Sequence, residues 1–482
     1  MDLGYNIDHK SLRFAQKPEE MPMIPRDKRQ APQRDLLETY LEDILNPRHE
    51  LVQMGKRIDW SACEQHFDRL YAVDAGRPGL PIRLHVGLQL LKHTYALSDR
   101  DVLDRWVENP YWQHFCGEVI FQHRLPMDET TMMRFRHRIG EDGARELLKM
   151  SIALGQDTGV IAPESLKVAV IDTTVMPKAI AYPSDARLAG RCHRQLVELA
   201  RNEGIKFRQT YCKALPGMVW QVGRYAHARQ FKRMHKVLRQ MHRNLARICE
   251  AIIDQRTMAQ RSARLNHKLH QALQLLNQYG DRSVKPRLYS LHEPEVVCIA
   301  KGKARTRYEF GSKVSVVTTS KEGFVLDCQA LAGNPYDGHT VDTALKRVLL
   351  HTSRMPEHLL ADRGYRGSES TFLSKIHITG KRRGRGKAHP DQQHRRNCIE
   401  PIIGHLKSDG LMFRNFLKGF TGDKTHAVLC GVGLNLRKVL RKLARLLWPY
   451  GNGRYLRRIL AILWSISVSS DESTETGDLL VI

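Results

Sequence analysis

The sequence lacks the features that mark several common protein classes. Its nine cysteines include no C-x-x-C pair, which excludes a zinc ribbon and a thioredoxin-like redox motif, and their scatter is typical of a reducing compartment. The first residues, MDLGYNIDHK, contain no apolar signal segment. The longest apolar run, residues 459–468, is far shorter than the roughly 20 residues that span a bilayer. We therefore expect a soluble cytoplasmic protein with no membrane partner.

The chain is also poor in acidic residues relative to basic ones. It carries 77 Lys and Arg against 51 Asp and Glu, a formal net charge of +26 over 482 residues. Such an excess attracts polyanions, so we expect nucleic acid as the partner; a basic surface that serves solubility alone is the alternative. With 41% hydrophobic residues, the chain has enough apolar material for roughly two or three packed domains.

The first third of the sequence predicts helices. Residues 1–35 are polar and Pro-rich and indicate a loose arm, and residues 36–155 follow as an all-helical domain. In "ALSDRDVLDRW", Ser98 stands three residues before Asp101, the spacing of a helix capping box. The preceding leucine-rich helix and this one are compatible with a DNA-reading helix-turn-helix, although an ordinary helical hairpin is commoner. Asp128 is expected to cap the next helix.

From residue 165 the pattern changes to a buried strand followed by a basic insertion. "LKVAVIDTTV" is a continuous β-branched run, typical of a strand covered on both faces. Residues 191–280, within a helical insertion at about 190–285, contain 18 Lys and Arg but 4 Asp and Glu. A heptad seam predicts a long helix with a second helix packed back on it. Arg233 and Lys236 lie off the seam, and we expect them to contact DNA; a solvated face is the alternative. The seam residues are Phe231, Met234, Leu238, Met241, Leu245, Ile248 and Ile252.

The remaining sequence predicts alternating strands and helices. "KVSVVTT" and "FVLDCQALAG" flank a Gly turn and indicate a hairpin, "DTALKRVLLHTS" a helix and "EHLLADRGYRG" a strand. "SESTFLSKI" is predicted to be a helix, "IHITG" a strand and "QQHRRNCIEPIIGHLKSDG" the last helix before further basic helices. The fold class is therefore α/β, a mixed sheet with a basic helical insertion, preceded by an all-helical domain. This second unit spans 165–440, and 441–482 is a basic helix with an acidic tail.

Two aspartates stand where such sheets bind ligands. Asp172 and Asp362 are each predicted at the carboxyl end of a buried strand, the edge at which open α/β sheets collect their ligands. If the two strands are neighbours, the carboxylates repel each other unless a cation lies between them. Mg²⁺ prefers oxygen ligands and suits phosphate substrates, so we expect a magnesium site.

A third carboxylate, Glu400, lies on the last predicted helix. At 100° per residue, Arg396 and Lys407 fall on the same helix face, where they could contact phosphates beside a metal. Pro401 predicts that the helix starts or bends at this point. Carboxylates that hold two cations are the arrangement for phosphodiester displacement. A single strand-end Asp is more often a turn residue, so the prediction rests on three acids in the right elements and order.

The segments "VIDTT", "LADRGYRG" and "RNCIEPIIGHLK" resemble the three catalytic blocks of bacterial insertion-sequence DDE transposases. The third block is similar to the family signature Y-x2-R-x3-E-x6-K at Arg396, Glu400 and Lys407, with Gln393 in place of the tyrosine. "ENPYWQHFCGE", "FQHRLPMDETTMMRFRHRIG" and "ALAGNPYDGHT" also resemble family segments, so the resemblance covers about residues 35–440.

The resemblance implies an RNase H-like catalytic domain with Asp172, Asp362 and Glu400 as the catalytic, metal-binding triad. It implies Mg²⁺, with Mn²⁺ as a substitute, endonuclease cleavage at transposon ends and strand transfer into target DNA. The helical region 36–155 is then expected to bind terminal inverted repeats of double-stranded DNA. Joining two ends implies a homodimer on DNA, in the nucleoid of a bacterium.

Further residues are expected to contact DNA around this site. Arg363 and Tyr365 flank the second aspartate and are predicted to shape the DNA groove, while Gly364 and Gly367 serve the turn. A basic loop is predicted to bind DNA through Lys381, Arg382 and Arg383. Two alternatives remain: a nuclease of the same fold that cuts without strand transfer, and a decayed or domesticated transposase that only binds DNA.

Overall fold

The N-terminal part of the chain is helical throughout the residues described. The structure is a computed structural model, and it describes residues 40–71, 79–281, 283–300, 307–368, 370–378 and 397–447. The predicted arm, residues 1–35, lies outside them. The N-terminal helices are α1 (Leu41–Ile44), α2 (Glu50–Arg57), α3 (Trp60–Asp68), α4 (Ile82–Thr94), α5 (Asp99–Glu108), α6 (Pro110–Phe115) and α7 (Glu129–Asp157).

Two of these helices begin at the predicted caps. Ser98 Oγ accepts a hydrogen bond from the backbone N–H of Asp101, and the Asp101 carboxylate accepts from the backbone N–H of Ser98, which completes a capping box for α5. Asp128 caps α7 by accepting from the backbone N–H of Thr131. Both predicted helix starts are confirmed.

The hairpin of α4 and α5 does not have the surface of a DNA-reading motif. Helix α4 is buried around nearly its whole circumference. A helix in the major groove lies beside dense rows of phosphates, which favour a positively charged surface. The exposed face of α5 instead mixes three carboxylates with two guanidinium groups, so an ordinary helical hairpin describes this pair better. These exposed residues are Asp101, Asp104, Glu108, Arg100 and Arg105.

A mixed six-stranded sheet follows the helical region. The long central β3 has β1 on one side and both β2 and β4 on the other, all antiparallel to it. Beyond β1 lie β5 and then β6, both parallel to their neighbours. The predicted fold class is confirmed, and the layout is consistent with an RNase H-like sheet. The strands are β1 (Val168–Pro177), β2 (Val297–Ala300), β3 (Tyr308–Thr319), β4 (Val325–Leu331), β5 (His358–Ala361) and β6 (Lys375–Ile378).

Strand β1 is longer than its sequence predicts. Asp172 pairs with Val316 of β3, and the antiparallel pairing continues for five further residues to Pro177. The prediction that Asp172 ends its strand is therefore wrong, because the long β3 keeps the following residues hydrogen-bonded. The parallel pairing with β5 stops at Val170, so Asp172 lies in mid-strand just beyond the end of that pairing.

The predicted helical insertion follows β1 and consists of α8 (Asp185–Asn202), α9 (Leu215–His227), α10 (Phe231–Gln255) and α11 (Ala263–Gly280). The predicted seam of α10 is buried from Leu238 to Ile252, whereas Phe231 at its start is 55% exposed. Helix α11 packs back on α10 as predicted, and also on α8. The insertion therefore has an apolar core of its own.

The helices after the hairpin are α12 (Val341–Thr352), α13 (Ile399–Ser408) and α14 (Gly419–Leu447). The helix predicted for "SESTFLSKI" is wrong, because residues 371–373 form bends and β6 begins at Lys375. The Asp342 carboxylate accepts hydrogen bonds from Ser370 Oγ, Thr371 Oγ1 and the Thr371 backbone N–H. These side-chain bonds compete with a helical backbone and hold the segment as a turn.

One apolar core joins the N-terminal helices, the sheet and α14. The cluster runs from Leu51 to Leu443 and includes residues of all three parts. Helix α14 packs against α4, α7 and β4, and most of it is buried rather than basic and exposed. The predicted boundary at 441 falls inside this helix, and the units predicted as 36–155 and 165–440 share their interior.

Candidate active site

The sheet places the two predicted aspartates, Asp172 and Asp362, side by side on neighbouring strands. Val170 and Leu360 are partners in the parallel β1–β5 pairing. Asp172 and Asp362 each lie two residues further along, and side chains two residues apart point to the same face of a sheet. Asp362 follows β5 directly, and its Oδ1 accepts a hydrogen bond from the Gly364 backbone N–H at 2.8 Å. The two strands are neighbours, which is the condition on which the sequence-based site depends.

Glu400 lies in the first turn of the helix packed on the same strands. Val170, Leu360 and Ile399 form a small buried cluster that fixes the start of α13. Glu400 is the next residue and is exposed. The helix begins at Ile399, which agrees with the prediction from Pro401. Among the described residues, no three Asp, Glu, His or Cys side chains are arranged to hold one metal ion, so a closed three-carboxylate cage is not assembled.

Sequence reasoning missed a further carboxylate, that of Asp337. It comes from the short 3-10 turn before α12, and its Oδ1 accepts from Thr173 Oγ1 at 3.0 Å and from Lys313 Nζ at 2.7 Å. Asp337 lies close to Asp362. A Cβ built on Gly364 would lie 3.0 Å from Asp337 Oδ2 and 3.0 Å from Asp362 Oδ1, so the distance between the two oxygens is at most the sum of these two distances. The sequence feature that could have identified Asp337 is an acidic residue in a segment rich in turn-forming residues, "GNPYDG".

Tyr365 lies beneath these carboxylates, not on a DNA groove. Its side chain is fully buried, so the prediction that it shapes the groove is wrong. Burial raises the pKa of Tyr365, and the carboxylates of Asp337, Asp172 and Asp362 raise it further. The buried hydroxyl forms no hydrogen bond of ordinary geometry with another described residue, and the neighbouring Thr340 hydroxyl donates to the Asp337 backbone carbonyl.

The oxygen donors at this edge fit a magnesium ion that keeps part of its water shell. Mg²⁺ is usually held by one or two protein carboxylates together with water and substrate phosphates. Asp172 and Asp362 provide such a pair, each with one carboxylate oxygen oriented by a backbone N–H, from Thr173 at 2.7 Å and from Gly364 at 2.8 Å. Lys313 compensates the charge of Asp337.

The structure separates the residues predicted to bind DNA. Arg363 is exposed next to Asp362, and Arg233 and Lys236 are exposed on α10. Lys407 Nζ lies 3.7 Å from a carboxylate oxygen of Glu309, so it is engaged in an ion pair within the protein. The other predicted residues, Lys381, Arg382, Arg383 and Arg396, lie outside the described residues.

A row of arginines on α8 was missed. Arg187, Arg191 and Arg194 are spaced by four and three residues, which places them on one helix face. All three are exposed, and none forms an ion pair or side-chain hydrogen bond with another described residue. They line a cleft of about 340 Å³ whose apolar wall includes Leu215 and Val219 of α9. The spacing in "DARLAGRCHR" was the available signal.

The described part of the chain contains no candidate membrane-spanning helix. None of the helices there combines the length and the apolar character needed to cross a lipid bilayer.

Comparison with known proteins gives two matches. Residues 39–138 match the family model described as "Transposase domain (DUF772)". The chain is 47% identical over 197 residues to "Uncharacterized protein ORF8 in nfe locus" of Rhizobium meliloti, an alignment that covers 41% of this chain and 95% of that protein. No solved structure matches the chain.

Proposed function

This chain belongs to a transposase family, and we propose that it is a DDE transposase that cuts DNA at the ends of a mobile element and joins them to target DNA. The observation that carries the proposal is the alignment of Asp172 and Asp362 at one level of neighbouring parallel strands. Glu400 adds a third acid from the helix packed on those strands. Two carboxylates on neighbouring parallel strands, beside a basic surface, suit chemistry on phosphodiesters.

Asp172, Asp362 and Glu400 would hold the metal, Mg²⁺ or Mn²⁺. When bound, such an ion lowers the pKa of water and stabilises the charge of a leaving oxygen. The chain itself orients the carboxylates. The Thr173 and Gly364 backbone N–H groups each hold one aspartate oxygen, so neither side chain has to be ordered when the substrate arrives. Glu400 is exposed in the first turn of α13, the helix packed on the same two strands.

The positive surface supports DNA as the substrate. Arg363 adjoins Asp362, while Arg187, Arg191 and Arg194 on α8 and the basic face of α10 extend the positive charge over the insertion. Lysines and arginines bind DNA mainly by displacing the cations condensed around its phosphates. We assign target and end binding to these surfaces. Two ends must meet for joining, so the active form is proposed to be a homodimer on terminal inverted repeats.

The test is cleavage by the full chain of a DNA fragment that carries the element's own end, with Mg²⁺. Wild type is compared with Glu400→Gln and with Glu108→Gln, which alters an exposed glutamate on α5. We expect Glu400→Gln to bind the fragment normally but to cut at least about 100-fold more slowly, a loss of about 2.7 kcal/mol in transition-state stabilisation. Glu108→Gln should cut like wild type.

The outcomes separate the alternatives. Cleavage followed by joining to a second DNA supports the transposase, and cleavage without joining indicates a nuclease of the same fold. Binding without cleavage, with both ends present and Mg²⁺ or Mn²⁺ supplied, indicates a decayed transposase that acts as a DNA-binding protein. One observation favours that second candidate: no three-ligand metal arrangement is preformed in the described residues.

A further inference from the structure

The carboxylate of Asp337 connects the two aspartates although it belongs to neither of their strands. One oxygen accepts from Thr173 Oγ1, and the backbone N–H of Thr173 in turn donates to Asp172. The other oxygen adjoins Gly364, whose backbone N–H holds Asp362. Asp337 therefore binds Thr173, which orients Asp172, and lies next to Gly364, which orients Asp362.

Lys313 binds the same carboxylate oxygen as Thr173. Its ammonium group donates to Asp337 Oδ1 at 2.7 Å and to the Pro335 carbonyl at 2.8 Å, and the residue is 9% exposed. It stands on β3 directly opposite Val175 of β1. Charge-assisted bonds of this length are strong and directional, so Asp337 is held in one orientation by the sheet itself.

An independent feature marks the same place as a ligand position. The Tyr365 hydroxyl is fully buried, has no partner among the described residues and lies within electrostatic reach of Asp337, Asp172 and Asp362. A buried hydroxyl without a partner is costly in a folded protein. It acquires an acceptor if ordered water, such as the water shell of a bound cation, enters between the carboxylates.

We propose that Asp337 is a positioning residue of the cation site: through Thr173 it orients Asp172, through the Gly364 turn it orients Asp362, and it thereby sets the affinity for a divalent cation. The inference rests on the proposed function, because it assigns Asp172 and Asp362 to the cation. Groups that orient metal ligands typically change metal affinity by about 10–100-fold when removed.

The test is Mn²⁺ binding to the full chain without DNA, measured by electron paramagnetic resonance. Thr173→Val removes the hydroxyl that joins Asp337 to Asp172 at nearly constant volume, and Thr173→Ser retains it. We expect Thr173→Val and Asp337→Ala to bind Mn²⁺ about 10-fold more weakly, while Thr173→Ser stays within about 2-fold of wild type. If Asp337→Ala does not fold, the Thr173 pair decides alone.

Three results overturn the inference: wild-type affinity in Thr173→Val, equal weakening in Thr173→Val and Thr173→Ser, or no Mn²⁺ binding by the wild type. DNA cleavage is followed in parallel. A wild type that cuts, with variants that bind Mn²⁺ normally, removes the positioning role and leaves the transposase. A wild type that shows the expected Mn²⁺ pattern but never cuts removes the transposase and leaves the positioning role.

Discussion

Asn435 of α14 forms two hydrogen bonds with the backbone of Val325, the first residue of β4. Its Nδ2 donates to the Val325 carbonyl at 2.9 Å, and its Oδ1 accepts from the Val325 N–H at 2.8 Å. The same Nδ2 lies 3.0 Å from Ser151 Oγ on α7. All three residues are buried. The Asn435 amide thus bonds the backbone N–H and carbonyl of a strand residue, as a neighbouring strand would. Through Ser151 it also connects the sheet to the N-terminal helices.

Replacing this amide should destabilise the fold strongly. Asn435→Ala leaves the Val325 N–H and carbonyl buried without partners, and we expect the free energy of unfolding to fall by about 3 kcal/mol. Urea denaturation followed by circular dichroism measures the change. Asn277→Ala, at an exposed position on α11, should stay within about 0.5 kcal/mol of wild type. Similar losses in both variants would refute the role of Asn435.

The arginine row of α8 should carry part of the salt dependence of DNA binding. Each phosphate contact contributes about 0.9 to the slope of log affinity against log salt concentration. Replacing Arg187, Arg191 and Arg194 together by Ala should reduce that slope by about 2 to 3, as measured by fluorescence anisotropy over a salt series. Arg105→Ala, on the acidic face of α5, serves as the matched control. An unchanged slope in the triple variant would place the DNA elsewhere.

Glu295 should make stability fall as the pH rises. Burial raises the pKa of Glu295 to about 7, and neighbouring Glu293 contributes in the same direction while Lys178 opposes it. Between the ordinary value of 4.5 and about 7, the folded chain holds a proton that the unfolded chain has lost. The free energy of unfolding therefore decreases through this window and stays reduced above it.

Glu295→Gln removes this titration, since glutamine stays neutral. Its melting temperature should exceed that of wild type at pH 8, and the difference should shrink towards pH 5. Thermal denaturation at four pH values measures the trend. Glu198→Gln, at an exposed position on α8, should show no such trend. A constant difference between Glu295→Gln and wild type at all pH values would contradict the assignment.

Tyr365→Phe should be tolerated by the fold. The hydroxyl has no partner among the described residues, so its removal should leave the free energy of unfolding unchanged or raise it by about 1 kcal/mol. Tyr365→Ala, which empties the buried ring site, should cost about 3–5 kcal/mol. Denaturant titration of both variants separates ring from hydroxyl. A clear loss of stability in Tyr365→Phe would mean that the hydroxyl is satisfied in the folded protein.

Local patterns in the sequence were sufficient to predict several elements of the fold, including the first strand of the site. The apolar run of β1, the caps at Ser98 and Asp128 and the seam of α10 each depend on residues within a few positions of one another. Their geometry follows from backbone periodicity and side-chain capping, which operate over that range. The sequence also determined that Asp172 and Asp362 each come two residues after an apolar position of a buried strand, Val170 and Leu360, and these two positions are partners in the sheet.

Contacts between distant segments decided the rest. Asp172 lies in mid-strand because β3 extends the pairing of β1, and 370–374 is a turn because Asp342 binds it. Tyr365 is buried because the site's carboxylates and core close over it, and Asp337 reaches Thr173 across 164 positions of sequence. The energy of such contacts depends on partners brought together by folding, and no short stretch of sequence contains both partners.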